Sequence, residues 1–344
     1  MHAIKILSKG HAAVQEVPNP TLRPGYVLAK TVAVALNPSD WKHIDFLDSA
    51  GTTCGVDFAG VVQDPNGVPG VSVGDHIAGF VHGGNRRLPE DGAFGEYVLV
   101  REGLYVKVPE NVGFEAAATL GAAIVTVGQA LYQSLGFPLP GEGDAEKKPV
   151  LIYGGSTATG AVAIQFAKLS GLEVITTCSP RNFDMVKSLG ASAAFDYRAP
   201  DCGATIREYT NNRLYHVLDC ISEGTSPQIC ADALSTDTAK KPAYSALLPV
   251  ELPRADVGYR FTLGYTATNE TFDKGGTEHP ASEEDHRFAV RFYKLSEKLL
   301  AEGKFKPHQQ DIRKGPLEKV LDGVDELRQG KVSAKKIVYR IADP

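Results

Sequence analysis

The sequence lacks the features that would direct it to a membrane, a nucleic acid or a cysteine-rich fold. Its five cysteines are scattered without a CxxC pair, which argues against a disulfide framework or a zinc knuckle. No apolar run is expected to reach the roughly 20 residues of a membrane span, and the N-terminus has no apolar signal-peptide core. The net charge of -5 offers no basic surface for nucleic acid. We therefore expect a cytoplasmic protein in a reducing compartment.

The 344 residues are enough for two domains of ordinary size. Up to about residue 110, short alternating segments separated by proline and glycine predict a compact β-rich or barrel-like unit. From residue 150 to residue 222, apolar strand segments alternate with helical segments, which predicts a doubly wound parallel sheet and an α/β protein. Near the end, an apolar face at helical spacing predicts a long helix, with a second helix and a final strand after it.

A glycine-rich turn lies between the first strand of this alternation and its helix. Residues 150–153 read VLIY and run directly into GGSTATG at 154–160. Small residues at such a turn let backbone amides approach a pyrophosphate, which then lies at the positive end of the helix. Thr157 stands where a middle glycine is usual, so the motif is imperfect. A tight turn without a ligand remains the alternative.

The second strand ends in TCSPRN at 177–182, where an enzyme that uses NAD usually carries an acid for the ribose. Ser179 and Asn182 can instead donate hydrogen bonds, and Arg181 adds a positive charge, all suited to a 2′-phosphate. The pattern favours NADPH over NADH. The alternative is that Ser179 and Pro180 only begin the next helix.

Nearly the whole sequence resembles the medium-chain dehydrogenase/reductase superfamily. Within it, the turn at 154–160 and the run CSPRN resemble the fungal trans-acting enoyl reductases that partner polyketide synthases. The segments that carry the resemblance are NPSDWK (37–42), CGVDFAG (54–60), VGDHI (73–77), GAFGEY (92–97), KVP (107–109), LDC (218–220) and GKVS (330–333).

The resemblance implies a GroES-like barrel domain formed by residues 1–115 and 290–344, with a Rossmann NADP-binding domain at 116–289. It also implies site positions. Those for the cofactor are Ser39, Asp40, Trp41, Lys42, Ser156, Thr157, Ala158, Thr159, Ser179, Pro180, Arg181, Asn182, Tyr197, Leu247, Leu248, Val332 and Ser333. Those for the substrate are Gly121, Ala122, Ala123, Ile124, Val125, Thr126, Val127, Gly128, Leu263, Gly264, Tyr265, Thr266, Ala267 and Thr268.

Zinc-dependent members of the superfamily carry a cysteine and a Gly-His-Glu motif where this sequence has Asn37-Pro38 and Gly55-Val56-Asp57. A four-cysteine lobe is also missing. Tetrahedral zinc needs three or four Cys, His or acidic ligands, so no metal is expected, and alcohol oxidation through zinc is disfavoured. Cys54 is interpreted as core packing.

The expected chemistry is hydride transfer from C4 of NADPH to the β-carbon of an α,β-unsaturated thioester, followed by protonation of the α-carbon. Lys42 is the candidate for a fixed charge near the reacting atoms, and an ordinary exposed lysine is the alternative. Thr126 could orient the nicotinamide amide or only satisfy its own backbone. No Tyr/Lys donor pair is visible, so solvent is the expected proton source.

Three histidines and one polar segment are also candidates for a role at the site. His43, His76 and His82 are expected to be structural, because no partner motif accompanies them. The polar segment 268–288 either gates the site or makes a solvated surface excursion.

The leading functional hypothesis is a trans-acting enoyl reductase for a chain on the acyl carrier protein of a polyketide or polyketide–peptide megasynthase. A stand-alone quinone or enone reductase is the second hypothesis, and an NADPH-binding structural or regulatory protein is the third. Prolines and charges at 236–265 are expected to obstruct dimerisation through a sheet edge. The resemblance also implies a monomer.

Overall fold

The computed structural model describes residues 1–143, 146–237 and 239–344. They form two compact units. One consists of Met1–Val125 with Gly264–Pro344, and the other is Thr126–Leu263.

The N-terminal part of the first unit is rich in strands, as predicted. β1 and β2 form an antiparallel pair, and the long strand β3 pairs antiparallel with both β4 and β6. The strands are β1 (His2–Ser8), β2 (His11–Glu16), β3 (Tyr26–Ala35), β4 (Asp57–Asp64), β5 (His76–Phe80), β6 (Tyr97–Arg101) and β7 (Tyr105–Lys107). The helices are α1 (Pro38–Phe46), α2 (Phe114–Ala117) and α3 (Gly121–Val127), the last of which ends in the second unit.

The second unit is a parallel sheet with alternating helices, which confirms the predicted doubly wound architecture. Its strands are β8 (Pro149–Tyr153), β9 (Glu173–Thr177), β10 (Ala193–Phe195), β11 (His216–Asp219), β12 (Ala243–Ala246) and β13 (Gly258–Phe261). Its helices are α4 (Ala158–Leu169), α5 (Phe183–Ser188), α6 (Cys202–Tyr209) and α7 (Ser226–Ala233). The strand order is β10-β9-β8-β11-β12-β13. The order reverses between β8 and β11, and ligands of such sheets bind at this switch point, beyond the carboxyl ends of the strands.

The segment 236–265 contributes strands β12 and β13 rather than a cover for the sheet edge. Tyr244 of β12 is buried against the core of Leu151, Val217 and Cys230, and β13 is the outermost strand on this side. The segment is therefore part of the sheet and does not lie across its edge. Obstruction of dimerisation at this edge stays a prediction. The connection between β12 and β13 carries two of the three prolines of this segment, Pro249 and Pro253, and three of its seven charged residues.

The chain then returns to the first unit. The return begins with a 3-10 turn at Gly264–Thr268 and continues through β14 (Phe272–Lys274), β15 (Thr277–His279), α8 (Glu283–Ala301), β16 (Gln310–Lys314), α9 (Lys319–Arg328) and β17 (Lys336–Arg340). β17 pairs antiparallel with β3 and parallel with β16, so the larger sheet runs β16-β17-β3-β4-β5-β7, with β6 also on β3. The predicted C-terminal helices and strand are confirmed.

The boundaries of the second unit differ from the predicted 116–289. The start of α3 is held to the first unit, because Ala122 N–H donates to Asp57 Oδ1 over 2.5 Å and the Tyr293 hydroxyl donates to Gly121 O over 2.7 Å. After Leu263, Tyr265 packs beside His43, with ring centroids 5.8 Å apart. Helical periodicity shows where a helix begins but not which core buries it.

The helical stretch Phe114–Ser134 has 21 residues and the composition of a membrane span. On those criteria the expectation of no such run is wrong. Most of the stretch is buried inside the protein, which is the environment of a core helix in a globular protein.

The buried carboxylate of Asp219, at the end of β11, connects the elements around the switch point through hydrogen bonds. It is fully buried and accepts hydrogen bonds from Ile221 N (2.9 Å), Ser222 N (2.8 Å), Ser226 Oγ (2.5 Å) and the Tyr244 hydroxyl (2.6 Å). Burial is the main reason that the pKa of Tyr244 is raised, and the nearby Asp219 charge adds to it. This network joins β11, α7 and β12.

We expect Asp219→Ala to lower the free energy of unfolding by about 3 kcal/mol or more, because each unsatisfied buried donor costs about 1–3 kcal/mol. Urea unfolding followed by circular dichroism measures the change. Asp184→Ala on the exposed face of α5 is the matched control, with an expected change under about 1 kcal/mol. Equal effects from the two substitutions would contradict a structural role for the network.

Candidate functional site

The glycine turn after β8 has no room for side chains at three positions. A Cβ at Gly155 would lie 2.0 Å from Thr176 Oγ1, and one at Gly160 would lie 2.3 Å from Gly154 O. Gly154 itself has φ +80°, a backbone conformation that favours glycine. The turn therefore packs directly between β8, β9 and α4, and the predicted strand–turn–helix unit is confirmed.

Thr157, the departure from the usual motif, caps α4. Its hydroxyl donates to Gly154 O over 2.8 Å and accepts from Gly160 N over 3.0 Å. Ser156, Ala158 and Thr159 are half-buried around it. The first N–H groups of a helix have no intrahelical acceptor, so this turn presents donors to an anion.

The turn after β9 carries donors and no acid. Residues Pro180–Asn182 form a 3-10 turn, and Asn182 N–H donates to Ser179 O over 2.8 Å. Ser179 is the N-cap residue, but its side chain makes no capping hydrogen bond to any residue that the structure describes. The alternative that Ser179 only caps a helix therefore lacks its expected contact.

Asn182 provides a direct test of whether a phosphate fits here. Its side chain is 8% exposed, yet Nδ2 has no hydrogen-bond partner within the described part of the chain. A buried donor left in this state costs about 1–3 kcal/mol, which an anionic oxygen would recover. Arg181 beside it is exposed. Together with the glycine turn, these residues fit a phosphorylated dinucleotide.

The other predicted cofactor positions lie on both units. In the second unit, Tyr197 is 39% exposed, and its ring centroid lies 6.4 Å from that of Tyr153 at the end of β8. Leu247 and Leu248 follow β12 directly, and Leu247 N–H donates to Ser222 Oγ over 2.9 Å. In the first unit, Val332 and Ser333 lie in the loop between α9 and β17.

The first unit contains a buried ion pair in the region where zinc-dependent relatives bind metal. Lys336 Nζ lies 2.5 Å from Asp57 Oδ2 and 2.9 Å from Asn37 Oδ1, and Asn37 Nδ2 donates to Asp57 Oδ2 over 2.8 Å. Ala122 N–H contacts the other oxygen of Asp57. Both oxygens of the Asp57 carboxylate therefore already accept hydrogen bonds from protein donors. Cys54 is buried, as the core-packing interpretation predicted.

Asp40, predicted beside the nicotinamide, is enclosed in the protein. It is 1% exposed, and its Oδ2 accepts from Asn37 N–H over 2.6 Å at the start of α1. Burial, assisted by the nearby Asp57 charge, raises the pKa of Asp40 to about 8. Its contacts are therefore those of a helix cap.

Its neighbours on α1 are more accessible. Trp41 and Lys42 are half-buried, with Lys42 Nζ 5.5 Å from the centroid of the Trp41 ring. Trp41 also makes an edge contact with Phe46, with centroids 5.7 Å apart. Lys42 is thus neither fully exposed nor buried.

Only part of the predicted substrate lining is accessible. Ala122 and Thr126 of α3 are half-buried, as are Leu263, Gly264 and Thr266. The other predicted lining positions are buried and belong to the packed interior: Gly121, Ala123, Ile124, Val125, Val127, Gly128, Tyr265, Ala267 and Thr268.

A cluster that sequence reasoning missed consists of His43, His82, Tyr265 and Lys274, here called the His43 cluster. The Tyr265 hydroxyl lies 3.2 Å from His43 Nε2, and Lys274 Nζ lies 2.8 Å from the same nitrogen. His82 stacks on Tyr265, with centroids 4.0 Å apart. Burial, with the Lys274 charge adding to it, holds the pKa of both histidines well below the usual range.

The cluster corrects the expectation that no Tyr/Lys pair is present. Lys274 Nζ lies 4.5 Å from the centroid of the Tyr265 ring, so a Tyr/Lys pair does exist. Lys274 comes from the polar segment 268–288, in which residues 272–279 form the β14–β15 hairpin. Arg87 anchors this hairpin through Asp273 (2.8 Å) and Glu278 (2.5 Å). His76, by contrast, packs on Phe114 at 4.6 Å.

Comparison with known proteins agrees with both units. Residues 23–110 match the family model for the alcohol dehydrogenase GroES-like domain, and residues 158–237 match that for zinc-binding dehydrogenase. The chain is 44% identical to Trans-enoyl reductase ACTTS2 of Alternaria alternata, over 98% of each chain. This chain belongs to the trans-enoyl reductases of the medium-chain dehydrogenase/reductase superfamily. It is also 43% identical to Trans-enoyl reductase resD of Aspergillus sclerotiorum, over 99% of this chain and 100% of resD.

Solved structures support the fold. The CurK enoyl reductase matches with a TM-score of 0.78 at 20% identity, covering 99% of each chain. An alcohol dehydrogenase superfamily protein from Novosphingobium aromaticivorans matches with a TM-score of 0.79 at 21% identity, covering 99% of this chain and 100% of that one. The GroES-like domain and the Rossmann-like sheet are thus confirmed, and the superfamily membership implies a nicotinamide cofactor. Among the described residues no group of three His, Cys, Asp or Glu could hold a metal, although zinc independence stays a prediction.

We expect Asp40→Asn to make the stability of the protein less dependent on pH. Between about pH 4, where an unfolded aspartate titrates, and about pH 8, folded Asp40 keeps a proton that the unfolded chain has lost. The contribution of Asp40 to the free energy of unfolding therefore falls as pH rises through this window. Asparagine can still accept from Asn37 N–H but does not titrate. Urea unfolding from pH 4.5 to pH 8.5 measures both slopes, in buffers spaced about one pH unit apart.

Asp48→Asn is the control for this measurement, since the Asp48 side chain is 83% exposed. It should leave the slope unchanged. If Asp40→Asn preserves the full slope of the natural protein, the enclosed carboxyl is not its source.

Proposed function

We propose that this protein is a trans-acting enoyl reductase that uses NADPH to reduce an α,β-unsaturated thioester on an acyl carrier protein of a polyketide synthase or polyketide–peptide synthase. The observation that carries the proposal is identity of 43–44% with two trans-enoyl reductases over nearly the full length. The glycine turn and the donor-rich turn after β9 supply the matching site.

The preference for NADPH rests on the turn at 179–182. The four residues include a cation, Arg181, and a buried amide donor, Asn182, that has no partner among the described residues, and they include no carboxylate. A carboxylate would accept from a ribose hydroxyl but would repel a phosphate. The arrangement supports recognition of a 2′-phosphate.

Three groups of this chain would bind the cofactor, stabilise the developing charge and orient the nicotinamide. The amides at 156–159 would hold the pyrophosphate, and the bound nicotinamide would supply a hydride. Lys42 would place a positive charge near the thioester oxygen, where negative charge develops as the double bond is reduced. Thr126, half-buried on α3, would orient the nicotinamide amide.

The proposed partner is the synthase that carries the acyl chain. The relatives bear the name trans-enoyl reductase, and a trans-acting enzyme meets its substrate on a separate protein. The monomeric state and the cytoplasmic location expected from the sequence belong to the same proposal. A stand-alone quinone or enone reductase is the competing function.

We expect Arg181→Ala and Asn182→Ala each to raise the Kd for NADPH about 10- to 100-fold, as loss of a hydrogen bond to a charged group costs about 1.5–3 kcal/mol. The Kd for NADH should change little, because NADH has no 2′-phosphate. Fluorescence titration of both nucleotides measures the four constants. Lys187→Ala on exposed α5 is the control for removing a nearby positive charge. Equal weakening of NADH and NADPH would contradict the assignment.

We expect Lys42→Ala to lower kcat/KM for an enoyl-pantetheine substrate about 10- to 100-fold, through loss of a charge near the developing oxyanion. Lys294→Ala on the exposed side of α8 should have no effect. An unchanged kcat/KM in Lys42→Ala would remove this lysine from the mechanism. Faster reduction of quinones than of enoyl-pantetheine by the natural protein would favour the competing function.

A further inference from the structure

The His43 cluster is part of a continuous hydrogen-bonded chain. Ser39 in the first turn of α1 hydrogen-bonds to the Tyr265 hydroxyl. That hydroxyl lies 3.2 Å from His43 Nε2, which is 2.8 Å from Lys274 Nζ. Four side chains from α1, the turn at 264–268 and the β14–β15 hairpin thus connect the hydroxyl of Ser39 to the ammonium of Lys274, and both of these residues are half-buried.

The hydrogen-bond partners of the two ring nitrogens determine the tautomer of His43. The His43 ring also hydrogen-bonds to the Gly83 backbone, and Nε2 faces Tyr265 and Lys274. Nδ1 therefore donates to the Gly83 carbonyl and carries the ring proton, which leaves Nε2 as an acceptor. Such a nitrogen can take a proton from Lys274 and pass it to the oxygen of Tyr265.

Lys274 is suited to supply that proton. Burial lowers its pKa to about 8, so the ammonium gives up a proton more readily than an exposed lysine does. The charged and titratable groups around the chain are His82, stacked on Tyr265, and the carboxyls of Asp40 and Asp57, whose charges act on Tyr265. Asp273, next to Lys274 on β14, is paired with Arg87.

Packing alone does not account for this arrangement. Burying two histidines beside a half-buried lysine is unfavourable, and apolar groups of similar size would pack as well. His82 Nδ1 has no hydrogen-bond partner within the described ranges, so the cluster is not a fully satisfied polar core. Ser39, its accessible end, is adjacent to the residues at 40–42 of the proposed nicotinamide site.

We propose that Lys274, His43, Tyr265 and Ser39 form a proton relay that delivers the α-carbon proton in enoyl reduction. The inference rests on the proposed function and deepens it by naming the proton source, which the sequence alone left to solvent.

Hydride addition at the β-carbon moves the π electrons of the double bond into an enolate. The α-carbon forms a C–H bond as the Ser39 O–H bond breaks, and Ser39 recovers a proton from Tyr265. Tyr265 recovers one from His43 Nε2, which takes it from the ammonium of Lys274. The net change is enolate plus ammonium to saturated thioester plus amine, and solvent then reprotonates Lys274.

The decisive experiment is reduction of crotonyl-pantetheine with NADPH in D₂O, followed by NMR analysis of the α-carbon. The natural protein should place deuterium on one face, because a fixed donor protonates the enolate. Tyr265→Phe and Lys274→Met should each give a near-equal mixture of the two faces, since solvent then protonates the enolate. They should also lower kcat about tenfold or more, within the 10²–10⁴ range of general acid catalysis. Tyr209→Phe and Lys294→Met, both at exposed positions, are the matched controls.

Retention of single-face deuteration in both relay variants, at whatever rate, would overturn the relay. If one variant fails to fold, the other decides the outcome. NADPH titration of each variant separates the two proposals: the relay predicts nearly unchanged Kd values, whereas a natural protein without NADPH binding or enoyl reduction would remove the proposed function itself.

A second readout needs no turnover. In the ¹⁵N spectrum of histidine-labelled protein, assigned with His43→Gln, His43 should be neutral at pH 7 with its proton on Nδ1. Lys274→Met should shift the Nε2 resonance, because the ammonium beside it is lost. An Nε2-protonated tautomer in the natural protein would overturn the relay as drawn.

Discussion

The buried contact between Asp57 and Lys336 is the interaction on which the first unit depends. The two residues are 279 positions apart, yet both side chains are at most 3% exposed and their charged atoms lie 2.5 Å apart. Taking either charge out of water alone would cost several kcal/mol, so each requires the other. The pair joins β4 near the N-terminus to β17 at the C-terminus. It reinforces the sheet in which β17 pairs with β3 and β3 pairs with β4.

The same carboxylate also positions neighbouring elements. Asp57 accepts from Asn37, which precedes α1, and from Ala122 at the start of α3. The segment of α1 that contains Ser39 and Lys42, and the helix that carries Thr126, are thus oriented from one buried point. The position that serves metal chemistry in zinc-dependent relatives here holds an internal ion pair. A lysine ammonium supplies the positive charge that faces Asp57.

The two units present different chemical groups at the proposed site. In the second unit, the turn at 154–160 presents backbone amides and a capping threonine, which suit the proposed dinucleotide because an anionic ligand needs donors and close backbone approach. In the first unit, side chains with perturbed proton affinities are gathered inside an apolar environment. Asp40, His43, His82 and Lys274 all have pKa values shifted mainly by burial, in the direction of the neutral form. Asp40 and Lys274, each with a pKa of about 8, can exchange a proton near neutral pH, whereas the pKa values of His43 and His82 lie well below the usual range and keep both rings neutral there.

The sequence by itself determined the strand–turn–helix at 149–169, the alternation that builds the parallel sheet, and the donor-rich turn at 179–182. These features are local: glycine needs, β-propensity and the absence of an acid are all visible within a few residues. It also identified the family, because short motifs recur along the whole chain. The tertiary structure decided where the units divide, that 236–265 contains two strands, and that Tyr265 and Lys274 meet His43. Each of these depends on contacts between residues far apart in the chain, some more than 200 positions apart, whose burial and partners no local pattern records.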